Sequence, residues 1–344
     1  MINNKLECSA LRGIAIISIC FHNYCHLLQK SAQENEFSYN ITNYSMFCNK
    51  FINYDFLIQF FSYWGYLGVP IFVFLSGYGL SQKYNNKSNV NRSLFIANHF
   101  KKLATPLILG TIFYVFILYL IEGGVWCSPL RLFLQCTMLL NLAYGYEEHI
   151  APGPYWYFGM TFQLYIIYAL FVYKHNKKLS LLPLIISVVL LSLLQKHDNL
   201  LVWVRYNCLG WLLPFYMGIY AKHLRMVFSK IHYIGVFLAS LFLIATFEAN
   251  YYLWLWIPCI TIFAAVSLIK LLNTRLLAFC SNVGKYSLFI FIIHPIVREV
   301  TLPMAETNGR LSGISLYILG TLIFTTFTIF VKNRWFNLRN SLPR

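Results

Sequence analysis

The stretch Leu11-Arg12-Gly13-Ile14-Ala15-Ile16-Ile17-Ser18-Ile19-Cys20-Phe21-His22 decides the fold class of this chain. It is an apolar run of the kind that crosses a bilayer, yet it contains an arginine and a histidine. An arginine at the centre of the hydrocarbon costs roughly 2.5–3.5 kcal/mol on insertion scales, so an ionisable residue in a span is a functional-site hypothesis by default. Histidine also exchanges a proton near neutral pH. The stretch therefore indicates chemistry carried out inside a membrane.

The composition of the whole chain agrees with this interpretation. Of the 344 residues, 58% are hydrophobic and 11% are charged, whereas about 25% are charged in ordinary soluble domains. A formal charge of +16 would suggest nucleic-acid binding in a soluble protein. In a membrane protein it is better explained by topology and by attraction to anionic lipid. We therefore predict the lipid bilayer as a partner and no nucleic acid.

Apolar runs of about 17–25 residues mark membrane spans. The chain contains ten such runs, at 10–28, 56–80, 104–121, 155–173, 179–195, 208–221, 232–247, 252–269, 284–301 and 312–331. The stretch 130–146 is predicted to be a re-entrant or interfacial helix outside the cytoplasm. Residues 1–344 thus form one all-α polytopic domain of about ten transmembrane helices, with no separate soluble domain.

The charged residues test this count. With the N-terminus inside and alternating spans, 20 of the 27 basic residues fall on the cytoplasmic side, as the positive-inside rule requires. Ten of the eleven acidic residues fall outside, and Glu7 is the exception. With a wrong number of spans, neither the basic nor the acidic residues would be sorted to one side of the membrane in this way. Both termini are therefore predicted to be cytoplasmic.

The ionisable residues of the first span lie at different depths. Arg12 is near the cytoplasmic end, and His22 is ten residues further, so about 15 Å deeper and near the middle of a core about 30 Å thick. On a regular helix His22 points about 80° away from Arg12, and His26 about 40° away. The nine cysteines form no CxxC pair and show no metal-ligand spacing, so we expect no metal site.

Five blocks along the chain resemble, in order, motifs of the acyltransferase-3 family of integral membrane O-acyltransferases. They are Leu11–Ala15 followed by His22; Gly68–Tyr78; His99–Leu103 before Pro106; Trp156-Tyr157-Phe158 followed by Gln163 and Tyr165; and Gly284–Leu288 followed by His294-Pro295. The resemblance covers about residues 6–335. It implies transfer of an acyl group, usually acetyl, from cytosolic acyl-CoA to a sugar hydroxyl of a cell-surface glycan or its lipid-linked precursor.

This chemistry assigns roles to particular residues. Attack of an alcohol on a thioester needs a base near pH 7, which imidazole provides, so His22 is the candidate base, with a covalent acyl relay as its competing role. The phosphates of CoA need cations, for which Arg12, Lys101 and Lys102 are candidates. His294 is a second imidazole at a similar depth, and Ser76 is a candidate donor to the acyl carbonyl. Trp156, Tyr165 and Gln163 are the predicted substrate-binding residues.

One departure from the family pattern affects these roles. The family usually places ten residues between the arginine and the histidine, whereas nine separate Arg12 from His22. Either a π-bulge restores the facing of the two side chains, or they act on different atoms. The family's Glu before the Gln of the fourth block is also missing, since Thr161 and Phe162 stand there.

A second class of function remains open at this point. Ionisable residues at mid-depth and helices broken by proline also suit a secondary transporter of an organic anion or sugar. Such a transporter usually has two related halves, and residues 1–170 show no symmetry with 171–344. A non-catalytic sensor leaves His22 unexplained. The expected location is a bacterial cytoplasmic membrane, and the oligomeric state is not predicted.

Overall fold

The computed structural model describes residues 2, 4–52, 55–84, 90–123, 128–174, 177–221 and 228–341. The structure is 85% helical, with no strand among these residues. The described α-helices are α1 (Lys5–Cys25), α2 (Ile41–Phe51), α3 (Phe56–Trp64), α4 (Gly68–Tyr84), α5 (Arg92–Glu122), α6 (Pro129–Cys136), α7 (Trp156–Ile167), α8 (Lys177–Leu193), α9 (Asp198–Tyr206), α10 (Leu212–Ala221), α11 (Lys230–Phe247), α12 (Tyr251–Trp254), α13 (Ile257–Leu271), α14 (Thr274–Lys285), α15 (Ser287–Asn308) and α16 (Arg310–Ser341).

The predicted all-α polytopic fold is confirmed. Within the described ranges seven helical segments are long and apolar enough to cross a membrane: Phe56–Tyr84, Arg92–Glu122, Gly153–Val172, Lys178–Lys196, Lys230–Phe247, Ser287–Asn308 and Arg310–Arg334. Two shorter apolar helices, Cys208–Ala221 and Ile257–Leu271, match two further predicted runs. The one predicted run that remains, 10–28, corresponds to α1, which is 21 residues long. The count of about ten is therefore approximate, because three of these helices are either short or interrupted by polar side chains.

Contacts between charged residues follow the predicted sides of the membrane. Glu7, the one acid predicted to lie inside, accepts from Lys270 Nζ at 2.8 Å, and both residues are predicted to be cytoplasmic. Arg310 pairs with Asp55 at the opposite, predicted outer end. Because each pair joins residues assigned to one side, the exception of Glu7 is explained by its partner.

Helix α1 lies at the centre of the bundle and packs against α3, α4, α14 and α15. Its crossing with α14 is close, because a Cβ on Gly13 or on Gly284 would overlap main-chain atoms of Cys280 or Ser9. Small residues at such crossings let helix backbones approach in membranes. The sequence did not predict α14 as a separate helix, since much of its surface is exposed and it has no long apolar run.

The predicted helix at 130–146 is shorter in the structure. Helix α6 ends at Cys136, and Met138 adopts a left-handed backbone with φ of 61°. A non-glycine residue in this region ends a helix, so the chain continues in short turns up to α7.

Candidate active site

His22 lies in the last turn of α1 and is 3% exposed. Its Nδ1 is 3.2 Å from the carbonyl oxygen of Phe61 and 3.1 Å from that of Ser62. Carbonyl oxygens only accept hydrogen bonds, so Nδ1 carries a proton. These carbonyls are available because α3 ends nearby. In the neutral ring the lone pair therefore lies on Nε2.

Gly65 allows this arrangement by its small size. A Cβ placed on Gly65 would lie 2.6 Å from the Cβ of His22, which is closer than two carbon atoms can approach. The Gly65 carbonyl also accepts from the Ser18 hydroxyl at 2.8 Å. The segment between α3 and α4 is thus pressed directly against α1 at the level of His22.

We expect Gly65→Ala to lower acyl-transfer activity at least tenfold. The added methyl group would push the imidazole away from its position, and a displacement of about 1 Å can cost roughly 100-fold in rate. The measurement is the rate of acyl transfer by purified protein. Gly79→Ala is the matched control, because a Cβ on the exposed Gly79 has no neighbour within 4 Å. Equal rates for both variants would contradict the positioning role of Gly65.

Two carboxylates converge on the free face of the His22 ring. Nε2 lies 3.7 Å from Glu36 Oε2, and one ligand atom from each of His22, Glu34 and Glu36 can be chosen so that all lie within 4.8 Å of one another. Glu34 Oε2 is buried and has no hydrogen-bond partner among the described residues. We name His22, Glu34 and Glu36 the outer cluster. The lone pair on His22 Nε2 repels the two carboxylates, so the outer cluster is stable only when it holds a proton or another cation.

Glu36 is fitted to share such a proton. Burial raises the pKa of its carboxyl group, and interaction with His22 opposes that rise. A carboxylate held beside an imidazole stabilises the imidazolium that forms when the ring takes up a proton. Glu36 faces the basic nitrogen Nε2, whereas the ring is oriented through Nδ1 by the carbonyls of Phe61 and Ser62, so the carboxylate contributes charge and not orientation.

The loop that carries Glu36 is anchored by a buried arginine. Arg205 is 2% exposed, and its Nε donates to the carbonyl oxygen of Glu36 at 2.9 Å. Its guanidinium lies 4.3 Å from the ring centroid of Trp211 and 5.0 Å from that of Trp254. Trp254 Nε1 donates in turn to the carbonyl oxygen of Asn35 at 3.1 Å. Glu36 is therefore held by its main chain, which leaves its carboxylate directed at His22.

A buried acid, Glu248, anchors the same loop from the end of α11. Its Oε2 accepts from Tyr63 at 3.0 Å and from Asn35 at 3.4 Å, and its Oε1 accepts from Trp64 at 3.3 Å. Burial raises the pKa of Glu248 to about 7, although these three donors act in the opposite direction.

This shift predicts a pH-dependent stability. Between the ordinary value of 4.5 and about 7 the folded protein binds the Glu248 proton more tightly than the unfolded chain, so stability falls as pH rises. The contribution is at most about 3 kcal/mol. Glu248→Gln removes it, so we expect the melting temperature of the variant to rise relative to the original protein between pH 5 and pH 8. Thermal unfolding in detergent measures this change in melting temperature. For the exposed control Glu306→Gln, the difference in melting temperature from the original protein should be the same at pH 5 and at pH 8.

An internal cavity of about 200 Å³ adjoins the outer cluster. Its polar lining comes from His22, His26, Glu34, Glu36 and Arg298, and its aromatic lining from Phe37, Tyr66, Trp156, Tyr157, Tyr206 and Phe291. Gly153 at its edge is exposed. A concave, largely aromatic site with a few convergent polar groups is typical of ligand binding, and we refer to it as the outer cavity.

A second group of polar residues lies towards the predicted cytoplasmic side. The Ser76 hydroxyl lies beside the phenol groups of Tyr157 and Tyr165, and the charge of Arg12 acts on both rings. We name these four residues the inner cluster. Tyr157 belongs to the inner cluster and also lines the outer cavity, so one aromatic side chain joins the two.

A family model described as an acyltransferase domain matches residues 7–333, which is nearly the whole chain. The chain belongs to the acyltransferase-3 family. Comparisons with curated proteins and with solved structures gave no match. The family resemblance of the sequence is thus confirmed, and the protein is a membrane acyltransferase.

In this acyltransferase-3 protein some predicted site residues lie together and others do not. Ser76 and Tyr165 lie side by side in the inner cluster, within reach of the charge of Arg12, and Trp156 lines the outer cavity with His22. Helix α1 is α-helical from Lys5 to Cys25, so a π-bulge between Arg12 and His22 is wrong. The alternative, that the two side chains act on different atoms, stays a prediction.

Gln163 and His294 belong neither to the described lining of the outer cavity nor to the inner cluster. Gln163 donates to Asn207 Oδ1 at 2.7 Å and accepts from the main-chain nitrogen of Cys208 at 3.0 Å, so it holds the connection between α9 and α10. His294 is fully buried, and its Nδ1 donates to the carbonyl oxygen of Ile290 at 3.1 Å. Their substrate-binding and catalytic roles stay predictions.

Sequence reasoning on the acyltransferase-3 motifs missed Glu34, Glu36 and Arg298. Arg298 lies one turn after His294, lines the cavity, and donates to Glu299 Oε1 at 2.6 Å. For Glu34 and Glu36 a signal existed, because two of the eleven acids follow the first span within a few residues. Nothing in the sequence indicated that this loop folds back onto His22.

Proposed function

We propose that the protein transfers an acyl group, acetyl in the first instance, from cytosolic acyl-CoA to a sugar hydroxyl. The proposed acceptor is a cell-surface glycan or its lipid-linked precursor, and the proposed location is a bacterial cytoplasmic membrane. The observation that carries the proposal is the buried His22–Glu36 pair, whose Nε2 and carboxylate are 3.7 Å apart at the wall of the outer cavity.

The outer cavity suits the acceptor. Aromatic side chains such as Trp156 and Tyr206 provide faces on which a sugar ring can stack. His22 Nε2 takes the hydroxyl proton while the hydroxyl oxygen attacks the thioester carbonyl carbon. The carbon–sulfur bond then breaks and the CoA thiolate leaves. Nδ1–H stays on the carbonyls of Phe61 and Ser62, and Glu36 stabilises the imidazolium.

The predicted cytoplasmic end of the protein suits the acyl donor, acyl-CoA. Arg12, Lys101 and Lys102 are exposed there, and none of them has a carboxylate partner among the described residues. Such cations bind phosphate groups, so they are the proposed contacts of CoA. The hydroxyls of Ser76, Tyr157 and Tyr165, of which Tyr157 also lines the outer cavity, are the proposed donors to the acyl carbonyl.

The experiment that tests this function has two parts. Purified protein is incubated with labelled acetyl-CoA and membrane glycans, and the glycans are analysed by mass spectrometry with and without the protein. We expect a mass increase of one acetyl group on a sugar, and release of CoA that depends on the acceptor. CoA release without any modified glycan, or no binding of acetyl-CoA, would contradict the proposal.

A quench experiment distinguishes the two roles considered for His22, a general base and a covalent acyl relay. With labelled acetyl-CoA and no acceptor, a base at His22 leaves no label on the protein. An acyl relay would leave a labelled peptide containing His22. Either result is compatible with acyl transfer, so this measurement decides only the role of the imidazole.

A further inference from the structure

We propose that His22, Glu34 and Glu36 form a binding site for a divalent transition-metal ion, Zn²⁺, and that the bound ion inhibits acyl transfer. The ligand types fit, because Zn²⁺ is commonly bound by imidazole nitrogen and carboxylate oxygen. The three ligands come from α1 and from the loop that follows it, 12 and 14 residues after His22. The expectation of no metal site considered only the cysteines and their spacing.

The distances require little movement. Two ligand atoms at about 2.1 Å from a tetrahedral zinc ion lie roughly 3.4 Å apart. His22 Nε2 and Glu36 Oε2 are 3.7 Å apart, and a set of three ligand atoms lies within 4.8 Å. Glu34 is only half-buried, so its side chain has room to close the remaining gap. The fourth position around the ion faces the outer cavity.

The surroundings of His22 match those of a metal-binding histidine. Such residues almost always donate their second ring N–H to a carbonyl or a carboxylate, which fixes the tautomer and directs the other nitrogen at the metal. His22 Nδ1 donates to the carbonyls of Phe61 and Ser62. Nε2 is thereby left as a lone pair in a side chain that is 3% exposed.

The local charge also favours a cation. Glu34 and Glu36 place two carboxylates beside one imidazole, and the nearby Arg298 is already paired with Glu299 at 2.6 Å. Arg205 and the Trp254 indole hold the main chain of Glu36 and Asn35. The ligand loop is therefore fixed in position, which lowers the entropy lost on binding a metal.

Inhibition follows because the hydroxyl proton and Zn²⁺ bind to the same lone pair, on Nε2 of His22. Nε2 cannot accept the proton of an attacking hydroxyl while it donates to Zn²⁺, so the ion competes directly with the proton. This consequence rests on the proposed role of His22 as the base, whereas binding of the metal does not.

Binding is tested on the full-length protein in detergent, without a polyhistidine tag and after treatment with a chelator. Titration with Zn²⁺ alone, followed by calorimetry or a competing indicator dye, should show one site. His22→Asn, Glu34→Gln and Glu36→Gln should each weaken it at least tenfold. His197→Ala and Glu306→Gln, exposed residues of the same types, should not change it. Because Mg²⁺ prefers six oxygen ligands, it should not compete. Equal affinity in all variants would overturn the site.

The inhibitory effect is measured separately, as the fraction of each protein's own rate that remains at one Zn²⁺ concentration, chosen so that it just saturates the unmodified chain. We expect at least a tenfold loss for the unmodified chain, reversed by chelator, and a weaker loss in Glu34→Gln. Zinc that binds at the three residues without slowing transfer would support the metal site but overturn inhibition and the base role of His22. Inhibition that persists unchanged in Glu34→Gln would show that zinc acts elsewhere.

Discussion

Replacing His22 with Asn should lower acyl transfer about 100- to 10,000-fold, since general-base catalysis contributes roughly 10²- to 10⁴-fold. Asn is the informative substitution because its side-chain amide can still donate to the carbonyls of Phe61 and Ser62, which accept from Nδ1 at 3.2 and 3.1 Å. It lacks only the atom that corresponds to Nε2. His22→Ala should be equally inactive but loses these hydrogen bonds as well. The measurement is single-turnover acyl transfer with purified protein.

The control for His22 is a histidine on the same predicted side of the membrane. His197 lies at the start of α9 and is exposed, so His197→Ala should keep the full rate. Expression level and elution in size-exclusion chromatography show whether each variant is folded. A His22→Asn protein that elutes normally and transfers acyl groups at the original rate would exclude His22 from the chemistry.

Glu36→Gln should lower the turnover rate by about 100-fold or more and change the Michaelis constant for acetyl-CoA little. Gln is nearly the same size as Glu but carries no charge, so the imidazolium formed during proton transfer loses its partner. In serine proteases the change of the triad Asp to Asn costs about 10⁴-fold because the histidine takes the wrong tautomer. In this protein Nδ1 keeps its carbonyl acceptors when Glu36 is changed, so the expected loss is smaller. Steady-state kinetics with varied donor separates the two constants.

Two further variants sharpen the interpretation of Glu36. Glu36→Asp keeps the charge but shortens the side chain, so it should restore part of the turnover that Gln loses. Glu306→Gln removes an exposed carboxylate from the same predicted side and should have no effect. If Gln kept the turnover rate and Asp lost it, the length of the side chain rather than its charge would be decisive.

Much of the fold could be predicted from apolar runs and charge. The ten predicted runs coincide with helices because a membrane span has a length fixed by the bilayer and few charges. The predicted assignment of charged residues to the two sides of the membrane also agrees with the contacts of Glu7 with Lys270 and of Arg310 with Asp55. Helix α14 was missed because an amphipathic helix needs no long apolar run.

The candidate site could be predicted only in part. His22 is found because an imidazole in an apolar run is costly, and Arg12, Ser76 and Tyr165 are found through family blocks. Glu34 and Glu36 were not found, because their position depends on Arg205, 169 residues away from Glu36 along the chain. Local patterns carry no information about such a contact. The loop has no regular structure of its own, so its path is set by tertiary hydrogen bonds.

Tyr157 has a consequence for the cell that is separate from catalysis. It lines the outer cavity and lies beside Ser76 of the inner cluster, so a single phenol ring lies at the junction of the two groups. Under the proposed function a donor from the cytosol and an acceptor in the outer cavity meet at this junction, and a membrane enzyme that joins them must still block leakage of ions through the bilayer. The bulk of this ring is thus constrained by the need for a tight seal as well as by the reaction.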